Sequence, residues 1–148
     1  MLFPYKDDNP RVLVPYVTYA IITINVLVFI FQFNLGMSNP IGEENFIYRF
    51  GFVPANFSFI AIFTSMFLHG GFSHIMGNMW FLWVFGDNVE GVLGHAKYAL
   101  FYILCGLAAT ISQLLINPES SIPMVGASGA IAGVLGMYMI RFPNAYVH

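Results

Sequence analysis

Charge is what this chain most lacks. Of its 148 residues only 8% are Asp, Glu, Lys or Arg, against about 25% in an ordinary soluble domain. So few charges cannot cover the surface of a soluble domain of this size, which excludes that class and leaves a membrane class. Cysteine is nearly absent. Cys105 stands alone, so no intrachain disulfide exists, and its place inside an apolar run predicts a buried small hydrophobe. Neither sign of charge dominates: a formal net charge of −2 gives nucleic acid or any other polyanion nothing to bind. Apolar residues fill the space instead, at 58% hydrophobic and 18% aromatic, with a mean hydropathy of +0.74. That balance suits lipid-facing surfaces with aromatic belts at the interface.

The chain begins with a short polar lead, residues 1–13, in which Lys6 and Arg11 flank Asp7 and Asp8. The apolar run that follows is too long for a cleavable signal and ends without a small-residue cleavage site, so it reads as a retained first span. Val14–Phe33 is 20 residues without a charge, enough to cross a hydrocarbon core of about 30 Å. Asn34–Phe59 reads as a long loop whose six aromatics, Phe46 to Phe59, hold it at the interface. Ile60–Leu68 is apolar but short. Phe72–Val89 is a second span, Tyr98–Ile116 a third, and Ser128–Ile140 a fourth, stopped by Arg141 and Pro143. The expected fold is an all-α polytopic bundle.

Lys6, Arg11, Lys97 and Arg141 fall on one side of that arrangement and only Arg49 on the other. The positive-inside rule then predicts a cytoplasmic N-terminus and outward loops carrying Glu43, Glu44 and Glu119. The membrane is read as the plasma membrane. Ser73-His74 and Gly126-Ala127-Ser128-Gly129 come out at the outward ends of their helices. The fourth helix is short: 13 residues rise about 20 Å, well under the ~30 Å core. Its outer end should therefore lie sunk by ~10 Å, where irregular backbone survives only if it lines a cavity or packs in protein.

His74 and Asn78 are spaced i, i+4 on one helical face. Polar side chains inside a span are expensive and normally face a partner or a wet cavity. Ser73 is the expected N-cap of that helix. Ser128 sits at a helix N-terminus among glycines, with free N–H groups, an electropositive helix end, and room for a substrate carbonyl. The competing reading is packing: Gly129-x-x-x-Gly133 is a close-approach motif of membrane helices, and on spacing alone the two readings are evenly matched. The soluble nucleophile elbow does not match, because Ala130 replaces its second glycine. His69 reads as a structural hydrogen-bonder, and His95 as a solvated residue. Asp87 and Glu90 read as solvated or packing groups far from Ser128, and Trp80 and Trp83 as lipid or interhelix contacts. From the residues alone, His74 is the best general base available to Ser128.

Together these segments resemble the rhomboid family of intramembrane serine proteases. The resemblance runs through Pro15-x-x-Thr18-Tyr19, Asn25-Val26, Thr64-Ser65-Met66-Phe67-Leu68-His69-Gly70-Gly71, His74-x-x-x-Asn78, Gly86-Asp87-Asn88-Val89-Glu90-x-x-x-Gly94 and Gly126-x-Ser128-Gly129-x-x-x-Gly133. Each motif alone is weak; their order and spacing are specific. The family implies a rhomboid-like membrane domain over 14–148, holding four spans of a six-helix core and C-terminally incomplete. It implies a serine endopeptidase that cleaves single-pass membrane proteins near the outer face, without metal or cofactor. Ser128 becomes the catalytic nucleophile, and His74 and Asn78 the oxyanion-hole side chains. His69 becomes a brace of the first loop. The family takes its base from a sixth helix, so the base is expected outside this chain, and residues 1–148 alone are expected to be nearly inert. The first loop departs from the family: many members carry a Trp-Arg pair there, and this loop has no tryptophan. A non-catalytic relative that binds or routes membrane helices is the alternative, and a small transporter or channel subunit a third reading.

Overall fold

The computed structural model describes residues 7–10 and 12–148. Lys6 and Arg11, on which part of the sidedness argument rests, lie outside the described residues, as do residues 1–5 of the lead. Among the described residues all extended regular structure is helical: α1 (Tyr16–Ser38), α2 (Pro40–Phe50), α3 (Phe59–Thr64) running into a 3-10 turn (Ser65–Phe67), α4 (Phe72–Leu93), α5 (His95–Ile116) and α6 (Ser128–Arg141). The all-α class expected from the apolar runs is what is found.

Several boundaries differ from expectation: α4 runs on to Leu93 and α5 starts at His95, and at the end of α1 and the start of α4 the reasons are local. α1 continues past Phe33 because its polar residues bond back to the helix itself. Asn34 Nδ2 donates to the Ile30 carbonyl at 2.9 Å and Ser38 Oγ to the Asn34 carbonyl at 2.9 Å, a pattern that keeps such residues compatible with a helix. The first loop is correspondingly shorter and contains α2. Asn39 caps α2 by accepting from the Gly42 N–H at 2.9 Å, and Pro40 occupies its first turn. Phe46 stacks edge-on against Phe31 at 5.3 Å, which pins α2 on α1. Ser73, expected as an N-cap, lies inside α4: the ladder starts two residues earlier, with the Ile75 N–H donating to the Gly71 carbonyl at 3.1 Å.

α1 and α5 are long and apolar enough to cross a membrane. Only 22% and 17% of their most apolar stretches are buried by protein. At 1.5 Å per residue they reach roughly 35 and 33 Å, more than the ~30 Å core. α3 and its 3-10 turn bend by 84° into α4, and the pair together is long and apolar enough for a broken span or a re-entrant loop. α6 has 14 residues, about 21 Å, and stays short of a full crossing. The chain is an integral membrane protein.

α4 and α6 form the centre of the bundle, with α1 against α4 and α5 against α6. Lipid removes most of the hydrophobic drive between helices, so close backbone approach matters more. A Cβ on Gly129 would land on Ala109 Cβ, and one on Gly133 on Cys105 Sγ. The i, i+4 glycines of α6 thus seat on the i, i+4 pair Ala109 and Cys105 of α5. Cys105 is half-buried in this seam. Leu82 and Val89 of α4, Tyr98 and Tyr102 of α5 and Val134 of α6 fill the core.

Candidate active site

The packing reading and the reactive reading of Gly126-Ala127-Ser128-Gly129 turn out to belong to different residues. Gly129 takes the helix contact. Ser128 is the first residue of α6, is solvent-exposed, and its hydroxyl makes no hydrogen bond among the described residues. It borders a cleft of about 90 Å³ that also touches Met66, Gly106, Thr110 and Gly126. A water needs ~10–15 Å³ of such volume, so the cleft has room for a small cluster. Gly129 is level with Ala109, seven residues short of the end of α5 at Ile116, which is about 10 Å at the helical rise. The start of α6 thus lies about two turns short of the end of its neighbour α5.

His74 and Asn78 reach the same place through Gly126. A Cβ on Gly126 would fall 2.7 Å from His74 Cε1, 2.8 Å from His74 Nε2 and 3.7 Å from Asn78 Nδ2. Gly126 also has φ of +120°, which L side chains rarely adopt. Glycine is therefore required twice over. His74 Nδ1 accepts the Gly70 N–H at 3.4 Å, so in the neutral ring the proton sits on Nε2, facing the Gly126 backbone. Asn78 Nδ2 lies 3.1 Å from Nε2 of His69, a fully buried ring. His69 is in turn tied to α1: Gln32 Nε2 donates to its carbonyl at 2.7 Å, and its N–H donates to Gln32 Oε1 at 3.3 Å. Gln32 also reaches Glu43 Oε1 of α2 at 3.5 Å, so the brace expected of His69 joins α1, α4 and the first loop.

Gly126→Ala is expected to lower stability by about 1–3 kcal/mol, the usual cost of holding a side chain in a sparsely populated backbone region, with the His74 clash added. Thermal unfolding in detergent measures it. An unchanged midpoint would mean that segment 123–127 relaxes freely.

That segment does not hang free, and sequence reading missed why. Phe52 and Met124 exchange backbone hydrogen bonds at 3.0 and 2.8 Å, the Ala55 N–H donates to the Ser120 carbonyl at 3.0 Å, and the Gly126 N–H donates to the Ser65 carbonyl at 2.8 Å. The first loop and the 3-10 turn thus clamp the approach to Ser128. The only signal for it was the lack of a side chain at Gly51, where a Cβ would meet Val125 and Pro123 at 3.0 and 3.1 Å.

The other histidines lie elsewhere. His95 is not simply solvated: its Nδ1 is 2.6 Å from Glu90 Oε1. Glu90 is fully buried and also accepts from the Val17 and Thr18 N–H groups at 2.9 and 2.8 Å and from Thr18 Oγ1 at 2.7 Å. The Pro15-x-x-Thr18 and Glu90 motifs therefore meet, at the opposite end of the bundle from Ser128. His148 lies at that end too, 3.0 Å from Asp8 Oδ1, as does Asp7, which accepts the Tyr138 hydroxyl at 2.7 Å. Trp83 is more than half exposed and stacks on Tyr19 at 5.6 Å. Among the described residues no cluster of three or more His, Cys, Asp or Glu side chains could hold a metal ion.

The family model described as the rhomboid domain matches residues 56–148. Rhomboid protein 1, mitochondrial, of Saccharomyces cerevisiae is 30% identical over 151 residues, covering 98% of this chain and 41% of the yeast protein. Putative rhomboid protease YdcA of Bacillus subtilis is 29% identical over 91% of this chain and 67% of its own length. Rhomboid protease GluP, also of Bacillus subtilis, is 31% identical over 82% of this chain and 24% of its own length. The chain thus spans between a quarter and two thirds of the length of these relatives. With a domain match over well over half of its residues and a helical membrane bundle beneath it, the chain belongs to the rhomboid family.

Proposed function

We propose that residues 14–148 carry the nucleophile and the oxyanion site of an intramembrane serine endopeptidase that cleaves single-pass membrane proteins near the outer membrane face. The observation that carries this reading is the exposed hydroxyl of Ser128 at the start of α6, unbonded among the described residues, beside a glycine over which His74 Nε2 stands. Two relatives of this chain bear the name protease.

In the proposed reaction Ser128 Oγ attacks a backbone carbonyl of the substrate while a base takes its proton. The oxyanion that forms is held by the His74 Nε2–H, an Asn78 Nδ2–H and the Ser128 N–H at the positive end of α6. Collapse breaks the peptide C–N bond, and the base returns the proton to the leaving amine. Water from the cleft then hydrolyses the acyl-enzyme. His74 serves as donor rather than base because its Nδ1 is taken by the Gly70 N–H. His69 bonds Asn78, His95 bonds Glu90 and His148 bonds Asp8. As the family resemblance implies, the reading takes the base from outside residues 1–148 and expects these residues alone to be nearly inert. It assigns no metal or cofactor. It places the 1–13 lead, Lys97 and Arg141 on the cytoplasmic side of a plasma membrane, with Arg49 and the clamp over Ser128 on the outward side.

A serine-directed fluorophosphonate applied to the full-length protein is expected to label Ser128, the adduct being located by peptide mass spectrometry. A folded, membrane-inserted protein that takes no label at Ser128 would overturn catalysis in favour of a family member that binds or routes membrane helices.

A further inference from the structure

We infer that His69 is a positioning residue for the oxyanion site: its Nε2 accepts one N–H of Asn78 and so holds the amide with its nitrogen, not its oxygen, toward Gly126. The inference rests on the reading of Asn78 as an oxyanion donor. An asparagine amide has nearly the same shape in its two flipped orientations, and only its hydrogen-bond partners choose between them. One orientation offers a donor to a developing negative charge. The other offers Oδ1, which repels it. At this site the chooser is His69, 3.1 Å from Asn78 Nδ2.

Three observations make His69 a fixed chooser. Its backbone is held from both sides by Gln32, at 2.7 and 3.3 Å. Its ring is fully buried, with the His74 ring edge-on at 5.2 Å. With Nε2 accepting from Asn78, the ring proton of neutral His69 belongs on Nδ1, the nitrogen left to face the Phe67 backbone as its hydrogen-bond acceptor. That tautomer keeps Nε2 free to accept. The Nδ2 group has a second N–H, and it stands 3.7 Å from where a Gly126 Cβ would be, on the approach to Ser128.

The test is a double-mutant cycle in the full-length protein, reading kcat and KM on a transmembrane peptide substrate. His69→Leu is expected to lower kcat about 10- to 100-fold with KM little changed, somewhat less than the ~10²–10³ lost with a whole oxyanion donor. His69→Gln, whose side-chain oxygen can accept the same N–H, should recover most of kcat. In an Asn78→Ala background His69→Leu should lower kcat no further. Losses that multiply in the double mutant, or His69→Gln no better than His69→Leu, would overturn the inference and leave the oxyanion site standing. Asn78→Ala as active as wild type would overturn both. If His69→Leu fails to fold, ring nitrogen-15 shifts of the unmutated protein decide: a proton on Nδ1 is expected, and a proton on Nε2 contradicts the assignment.

Discussion

Ser128→Ala in the full-length protein is expected to reduce cleavage of a transmembrane substrate by about 10⁴-fold or more while leaving the fold untouched. The size follows from what a nucleophile does. Without Oγ no acyl-enzyme forms, and removal of the serine from a well-studied soluble serine protease costs on the order of 10⁶ in kcat. What survives is substrate binding and whatever the oxyanion donors do for direct attack by water. The null effect on stability follows from the geometry. Among the described residues Ser128 Oγ has no hydrogen-bond partner and no side chain caps α6, and the residue is exposed. Exposed positions without such features usually move stability by under about 0.5 kcal/mol. Gly129 and Gly133, which carry the packing on Ala109 and Cys105, are untouched. Kinetics and thermal unfolding measured on one preparation therefore separate the two readings. Lost cleavage with an unchanged melting midpoint is the catalytic outcome. Retained cleavage would sink Ser128 as nucleophile, and a large drop in midpoint would mean that the serine belongs to the packing after all.

The sequence carried the helices and the site to different degrees, for different physical reasons. The helices α1, α4 and α5 were legible because lipid demands long apolar runs, and the short α6 was legible because Ser128 and Pro143 bound it. That His74, Asn78 and Ser128 share one end of the bundle followed from helix order and phase, two properties that survive without coordinates; their meeting at Gly126 did not. Contacts set by tertiary pairing left little trace. Nothing in Asn34–Phe59 announces that Asn34 and Ser38 bond back into α1, or that Phe52 pairs with Met124 across the site. His95 looked solvated because its position at a helix start says nothing of the buried carboxylate behind it. The choice between His74 as base and His74 as donor came from the family resemblance, and the residues alone pointed the other way. It turns on which ring nitrogen the Gly70 N–H occupies.

The second large effect belongs to the end of the bundle remote from the site. Glu90→Ala is expected to destabilise the protein by about 3–5 kcal/mol, the usual loss on removing one partner from a buried charged network. α1 begins after Pro15, and the first N–H groups of any helix lack partners within it. The Tyr16 N–H finds the Val14 carbonyl at 2.9 Å. The next two, on Val17 and Thr18, are both met by the Glu90 carboxylate, which also takes Thr18 Oγ1 and His95 Nδ1. A negative charge at that position complements the positive end of α1. Alanine would leave the buried Thr18 N–H and hydroxyl and the half-buried Val17 N–H without their acceptor and would remove a contact that ties α1 to α4 and α5. Glu90→Gln keeps one accepting oxygen and should lose roughly half as much, because hydrogen bonds to a charged acceptor are about twice as strong as neutral ones. Thermal unfolding of both variants in one detergent measures the difference. Glu90→Ala unfolding within about 0.5 kcal/mol of wild type, the range of an exposed substitution, would refute the capping role. The Pro15-x-x-Thr18 and Glu90 motifs would then have no structural explanation in common.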